Sequence, residues 1–107
     1  MNTYILDENG EPQSCPDILT WGQWMHSADR AVLKTDVGDV HISTVFLGLD
    51  HSFYGGPPVL WETMIFGGAF DQDQWRYTSQ LDAMRGHARA VALVEGNTAD
   101  PTPDPLP

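Results

Sequence analysis

An imidazole flanked by carboxylates can hold a divalent cation or relay a proton, and this chain offers one such grouping. Asp50 and His51 are adjacent, and Glu62 follows on the far side of a loop rich in glycine and proline. The three would converge at the loop base if the flanking segments pair as a hairpin. No His-x-x-x-His, Cys-x-x-Cys or Asp-x-Asp-x-Asp spacing accompanies them, so a metal centre would need scattered ligands. The plainer role for Asp50 is to bond turn amides. Ser43, Ser52 and Cys15 are available as nucleophiles, but none stands in a nucleophile elbow. The pairs Gly55-Gly56 and Gly67-Gly68 match neither a dinucleotide fingerprint nor a phosphate loop, and they read as turn chemistry. No catalytic residue and no cofactor is assigned on this basis. A small metal-assisted enzyme using Asp50, His51 and Glu62 stands as an alternative.

Aromatic side chains make the stronger lead. Phe53 and Tyr54 precede Gly55-Gly56-Pro57-Pro58 in a loop too long for a tight hairpin turn. Aromatic groups on a proline-stiffened loop can anchor a protein interface at low entropic cost. Trp75 and Tyr77 alternate in a short polar segment, where they would add a second patch or a sheet edge open to a partner strand. These four are the candidate binding residues.

The elements that would carry them follow from periodicity. Two apolar runs, Val40 to Leu49 and Val59 to Phe66, are hydrophobic on both faces, as central strands are. The face with His41, Ser43 and Glu62 is the more polar and is expected to be partly open to solvent. Thr3 to Leu6 has strand composition and ends at an Asn-Gly turn. Ser14-Cys15-Pro16-Asp17 has the pattern of a helix start, with Ile18, Trp21 and Met25 recurring through to about residue 28. Val32 to Val37 reads as a strand turning at Gly38-Asp39, and Gln74 to Tyr77 as a short edge strand. Thr78 or Ser79 caps a second helix from Gln80 to Glu95, whose buried stripe is expected at Leu81, Met84, Ala88 and Val91. On the same reading His41 and His87 are half-exposed, and His26 ends the first helix.

The resulting order is β-α-β-β-β-β-α. It implies an α+β fold, with an antiparallel sheet of about four to five strands and both helices on one face. Residues 1–97 form one domain, and the proline-alternating residues 98–107 form a disordered tail.

Charge narrows the class of partner. The formal net charge is −10, but Asp7, Glu8, Glu11, Asp100 and Asp104 lie near the two ends. Between them ten acids face five bases. Such a surface repels phosphate backbones, so direct nucleic-acid binding is disfavoured and a protein with a basic surface is favoured. No stretch has the length or apolarity of a membrane helix or signal peptide, which implies a soluble cytoplasmic protein. The lone Cys15 reads as a structural thiol.

Ser43-Thr44-Val45-Phe46-Leu47-Gly48-Leu49-Asp50-His51 and Gly55-Gly56-Pro57-Pro58-Val59-Leu60-Trp61-Glu62-Thr63-Met64-Ile65-Phe66-Gly67-Gly68 resemble a family of small proteins found in phages and prophages. The likeness continues through Gln74-Trp75-Arg76-Tyr77 and residues 86–94. It implies a phage-derived accessory protein in a bacterial host and carries no catalytic residue with it. The expected function is macromolecular binding, extending to inhibition of a host defence or nucleic-acid-handling protein. A self-associating structural phage component, with a homodimer through the edge near Trp75, is the further alternative.

Overall fold

The computed structural model describes residues 2–52 and 55–96; Phe53, Tyr54 and the proline-rich tail expected at 98–107 lie outside the described residues. In chain order the elements are β1 (Tyr4–Leu6), β2 (Pro12–Ser14), α1 (Ile18–Ser27), β3 (Ala31–Val37), β4 (Val40–Phe46), β5 (Trp61–Phe66), β6 (Gln74–Tyr77) and α2 (Gln80–Glu95). Strands β3-β4-β5-β6 form an antiparallel sheet in that spatial order, while β1 and β2 make a separate hairpin. The fold is α+β. The two apolar runs are its central strands, paired from His41↔Phe66 to Phe46↔Trp61.

One face of this sheet is the core face. Ile42, Thr44 and Phe46 of β4, with Thr63, Ile65 and Trp61 of β5, are fully buried under α2. Phe46, Leu60, Trp61, Tyr77 and Ala83 cluster at one end, and Ile42, Ile65 and Ala90 at the other. The opposite face presents His41, Ser43, Val45, Glu62 and Met64, none of them buried, and Phe66, which is exposed. Strands that read as apolar on both faces are therefore covered on one only, and the polar residues mark the open side.

Helix α1 starts later than its sequence suggests. Asp17 is its N-cap, accepting from the backbone N–H of Leu19, while Ser14 ends β2, a strand the helix-start pattern had hidden. The helix docks at the end of the core face, where Trp24 meets Phe46 edge-on at 5.8 Å. Trp21 Nε1 donates to the carbonyl of Gly48 at 3.1 Å. Gly48 has φ of 76°, and a Cβ there would come within 2.6 Å of Met25 Sδ, so only glycine lets the helix settle this close.

Helix α2 is capped by Ser79, whose Oγ accepts from the N–H of Asp82 at 3.1 Å. Its fully buried positions are Ala83, Gly86, His87 and Ala90, and of the expected stripe Val91 alone packs against the core. Leu81 is 57% and Met84 43% exposed, and Ala88 is exposed beside them. The physical reason is bulk on the sheet. Trp61, Phe46 and Tyr77 already fill the space beneath the helix, so only small side chains fit between. Gly86 is the extreme case, since a Cβ there would overlap the Tyr77 ring and hydroxyl.

Candidate functional site

Asp50, His51 and Glu62 are not brought together into a ligand set. Among the described residues, no three His, Cys, Asp or Glu side chains form a group that could hold a metal ion. Asp50 Oδ1 accepts from the backbone N–H groups of Ser52 at 2.8 Å and Val59 at 2.9 Å. Those bonds favour the carboxylate and hold its pKa below the ordinary value, led by the Ser52 bond, with a small contribution from His51. Asp50 thus closes the base of the 50–58 loop. His51 is half-buried beside it and donates its backbone N–H to Val59. Glu62 lies on the open sheet face, where its Oε2 accepts from Arg76 Nε at 2.9 Å.

Of the four aromatic candidates, Phe53 and Tyr54 fall outside the described residues. Tyr77 is 3% exposed and belongs to the core, which corrects its expected place in a surface patch. Its side chain follows the same alternation as Trp61, its cross-strand partner, and so turns under α2. Burial raises the phenol pKa, and although Thr63 is near, the hydroxyl has no hydrogen-bond partner of normal geometry. Trp75 is half-buried and packs against both core clusters from the edge strand β6. The pair Trp75 and Tyr77 is therefore mainly structural.

His87 is the residue whose role periodicity missed. It was expected to be half-exposed; it is 4% exposed. Its Nε2 pairs with Thr35 Oγ1 at 2.8 Å and its Nδ1 with Thr44 Oγ1 at 2.7 Å, while Thr44 also bonds Thr63. One ring nitrogen donates and the other accepts, so the neutral imidazole is fully satisfied. Burial holds its pKa below the ordinary value, and His41 adds a smaller push in the same direction. A ring sealed under a helix with three hydroxyls is a structural clamp between α2 and strands β3, β4 and β5. The sequence signal for it was the threonine alternating into the core face of each strand.

The open face and the sheet end beside it carry the other polar groupings. Asp36 Oδ1 and His41 Nδ1 are 2.7 Å apart, and the His41 and Phe66 rings are 6.1 Å apart at 34°. The β3–β4 turn and the β5–β6 loop touch here, since a Cβ on Gly67 would lie 3.1 Å from the carbonyl oxygen of Asp39. The N–H of Gly67 donates to Asp71 Oδ1 at 2.6 Å. The C-terminal turn of α2 packs at the same end, with Val94 against the cluster that includes Val40 and Phe70. Asp36, Asp39, Asp71, Asp73 and Glu95 thus collect at one end of the molecule; the β3–β4 turn, the β5–β6 loop and the last turn of α2 contain no lysine or arginine, and the nearest basic residue on β3 is Lys34, two residues before Asp36. The C-terminus of the helix adds partial negative charge.

Among the described residues, no helix is long and apolar enough to cross a membrane. Comparison with family models, with curated proteins and with solved structures finds no match for this chain.

Proposed function

We propose that this protein acts by binding another protein through electrostatic complementarity with a basic surface. The observation that carries the reading is the acidic end of the sheet, where five carboxylates meet a helix C-terminus and neither the two loops nor the last helical turn supplies a lysine or arginine. A field of one sign steers an oppositely charged partner and fixes its orientation, and it repels nucleic acid. The other polar groups support the same reading, since Asp50, Glu62 and His87 are each engaged in holding structure together. The likeness to phage and prophage proteins extends the proposal to an accessory protein that inhibits a defence or nucleic-acid-handling protein of a bacterial host, whose nucleic-acid groove supplies the basic surface.

Immobilised protein is expected to retain a specific basic protein from bacterial lysate at low ionic strength and to release it as salt rises through the physiological range. The triple variant Asp39→Asn/Asp71→Asn/Asp73→Asn should lose that protein while keeping its fold, because asparagine preserves the hydrogen bond that Asp71 accepts. Equal retention by the variant, or no specific retention by the wild type, would overturn the reading.

A further inference from the structure

The binding reading above leaves open which side chain turns a diffuse negative field into a contact, and the open sheet face supplies one. Asp36, His41 and Phe66 form a single row across β3, β4 and β5, because Asp36 pairs with His41 and His41 with Phe66. Phe66 ends its strand 44% exposed. The imidazole of His41, held by Asp36, flanks one side of the phenyl ring and leaves the rest to solvent. Met64, half-buried, continues the apolar surface along the strand. Immediately beyond the ring, Gly67 joins the Asp39 turn and the Asp71 carboxylate.

We propose that this patch binds a lysine- and arginine-rich segment of the protein partner, with one cation over the Phe66 ring and its neighbours on Asp36, Asp39 and Asp71. Charge decides the occupant. An apolar partner would bury three carboxylates without counter-charges, which is costly. A second copy of this chain would bring the same three carboxylates from each side. A cationic segment satisfies both components, since an aromatic face attracts a guanidinium or ammonium group and the flanking carboxylates pair with its neighbours. Lys34, exposed in the next row of the same face, and beyond it the pair Glu62 with Arg76 bound the patch on the side away from the acidic end.

The test uses a fluorescein-labelled peptide of alternating lysine and arginine, titrated with the full chain at low ionic strength. Phe66→Ala removes no charge and is expected to weaken binding about threefold to fivefold, whereas Phe66→Tyr should retain it. Asp36→Asn/Asp71→Asn should weaken it more than Glu8→Gln/Glu11→Gln, which removes equal charge from the distant hairpin. Circular dichroism of each variant guards against loss of fold. Should Phe66→Ala bind as tightly as wild type, or the hairpin variant lose as much as the sheet variant, the patch is overturned while the basic-partner reading stands. If the wild-type chain does not bind the peptide at all, both fall together.

Discussion

Gly86 shows how a single missing methyl group sets the spacing of this core. Tyr77 rises from the edge strand directly beneath it, and the phenol ring occupies the volume a Cβ would need. On propensity alone, alanine in mid-helix would be better than glycine by about 1 kcal/mol. Here the ring is packed in one buried cluster with Trp61, Phe46 and Ala83, so an added methyl would overpack it. Gly86→Ala is therefore expected to lower unfolding free energy by roughly 2 kcal/mol in urea titration, the overpacking outweighing the propensity gain. Tyr77→Phe should cost nothing or stabilise by up to about 1 kcal/mol, because it deletes a buried hydroxyl that makes no good hydrogen bond. A large loss in that variant would mean that the hydroxyl is bonded after all.

At the scale of elements, α2 explains which parts of the fold were legible in the sequence. Its ends were readable, since Ser79 caps the N-terminus as its type predicts and the helix stops at Gly96, although Gly96 has φ of −108° and is not left-handed. Its inward face was not. The helix has two apolar stripes, and Leu81, Met84 and Ala88 make the bulkier one. Hydrophobic periodicity selects bulk, whereas packing over Trp61, Phe46 and Tyr77 selects smallness, and that constraint comes from strands distant in sequence. The same blindness hid His87, whose polarity is paid for by threonines on three strands. The central pairing of β4 and β5 was legible because both runs are long and apolar. The β1–β2 hairpin was half seen, its turn through Asn9-Gly10 but not its polar return strand. For the candidate site, the sequence reading chose Phe53, Tyr54, Trp75 and Tyr77 and did not single out Phe66 or the carboxylates near it, because side-chain type alone does not say which groups face solvent. Replacing Leu81 and Met84 together by glutamine should change unfolding free energy by no more than about 0.5 kcal/mol. Ala90→Gln, which forces a long polar side chain between Ile42 and Ile65, should cost at least about 2 kcal/mol.

The whole molecule has a pH window that follows from groups already placed. His87 has a folded pKa below its ordinary 6.5, so between those two values the unfolded chain binds a proton that the folded chain refuses. Stability therefore falls as pH drops through that interval. Asp7, Asp17 and Asp50 have pKa values held below 3.8, and the stability they contribute is lost as pH falls below that value. Tyr77 works at the other extreme. Its raised pKa keeps the folded chain protonated above pH 10.0 while the unfolded chain ionises, so stability falls again there. Urea midpoints measured across pH should show a plateau from near neutrality towards pH 10.0, with losses on both sides. The shoulder below pH 6.5 should flatten in His87→Gln, and an unchanged shoulder would assign it to other histidines.

Met25 resting on the bare backbone of Gly48 gives the fold an oxidative weak point. A thioether converted to a sulfoxide gains an oxygen and a strong dipole, and the notch beneath it was cut for neither. Peroxide damage would then pry the first helix from the sheet end before it disturbed the second, because the wedge acts where Trp21 and Trp24 make their holdfasts.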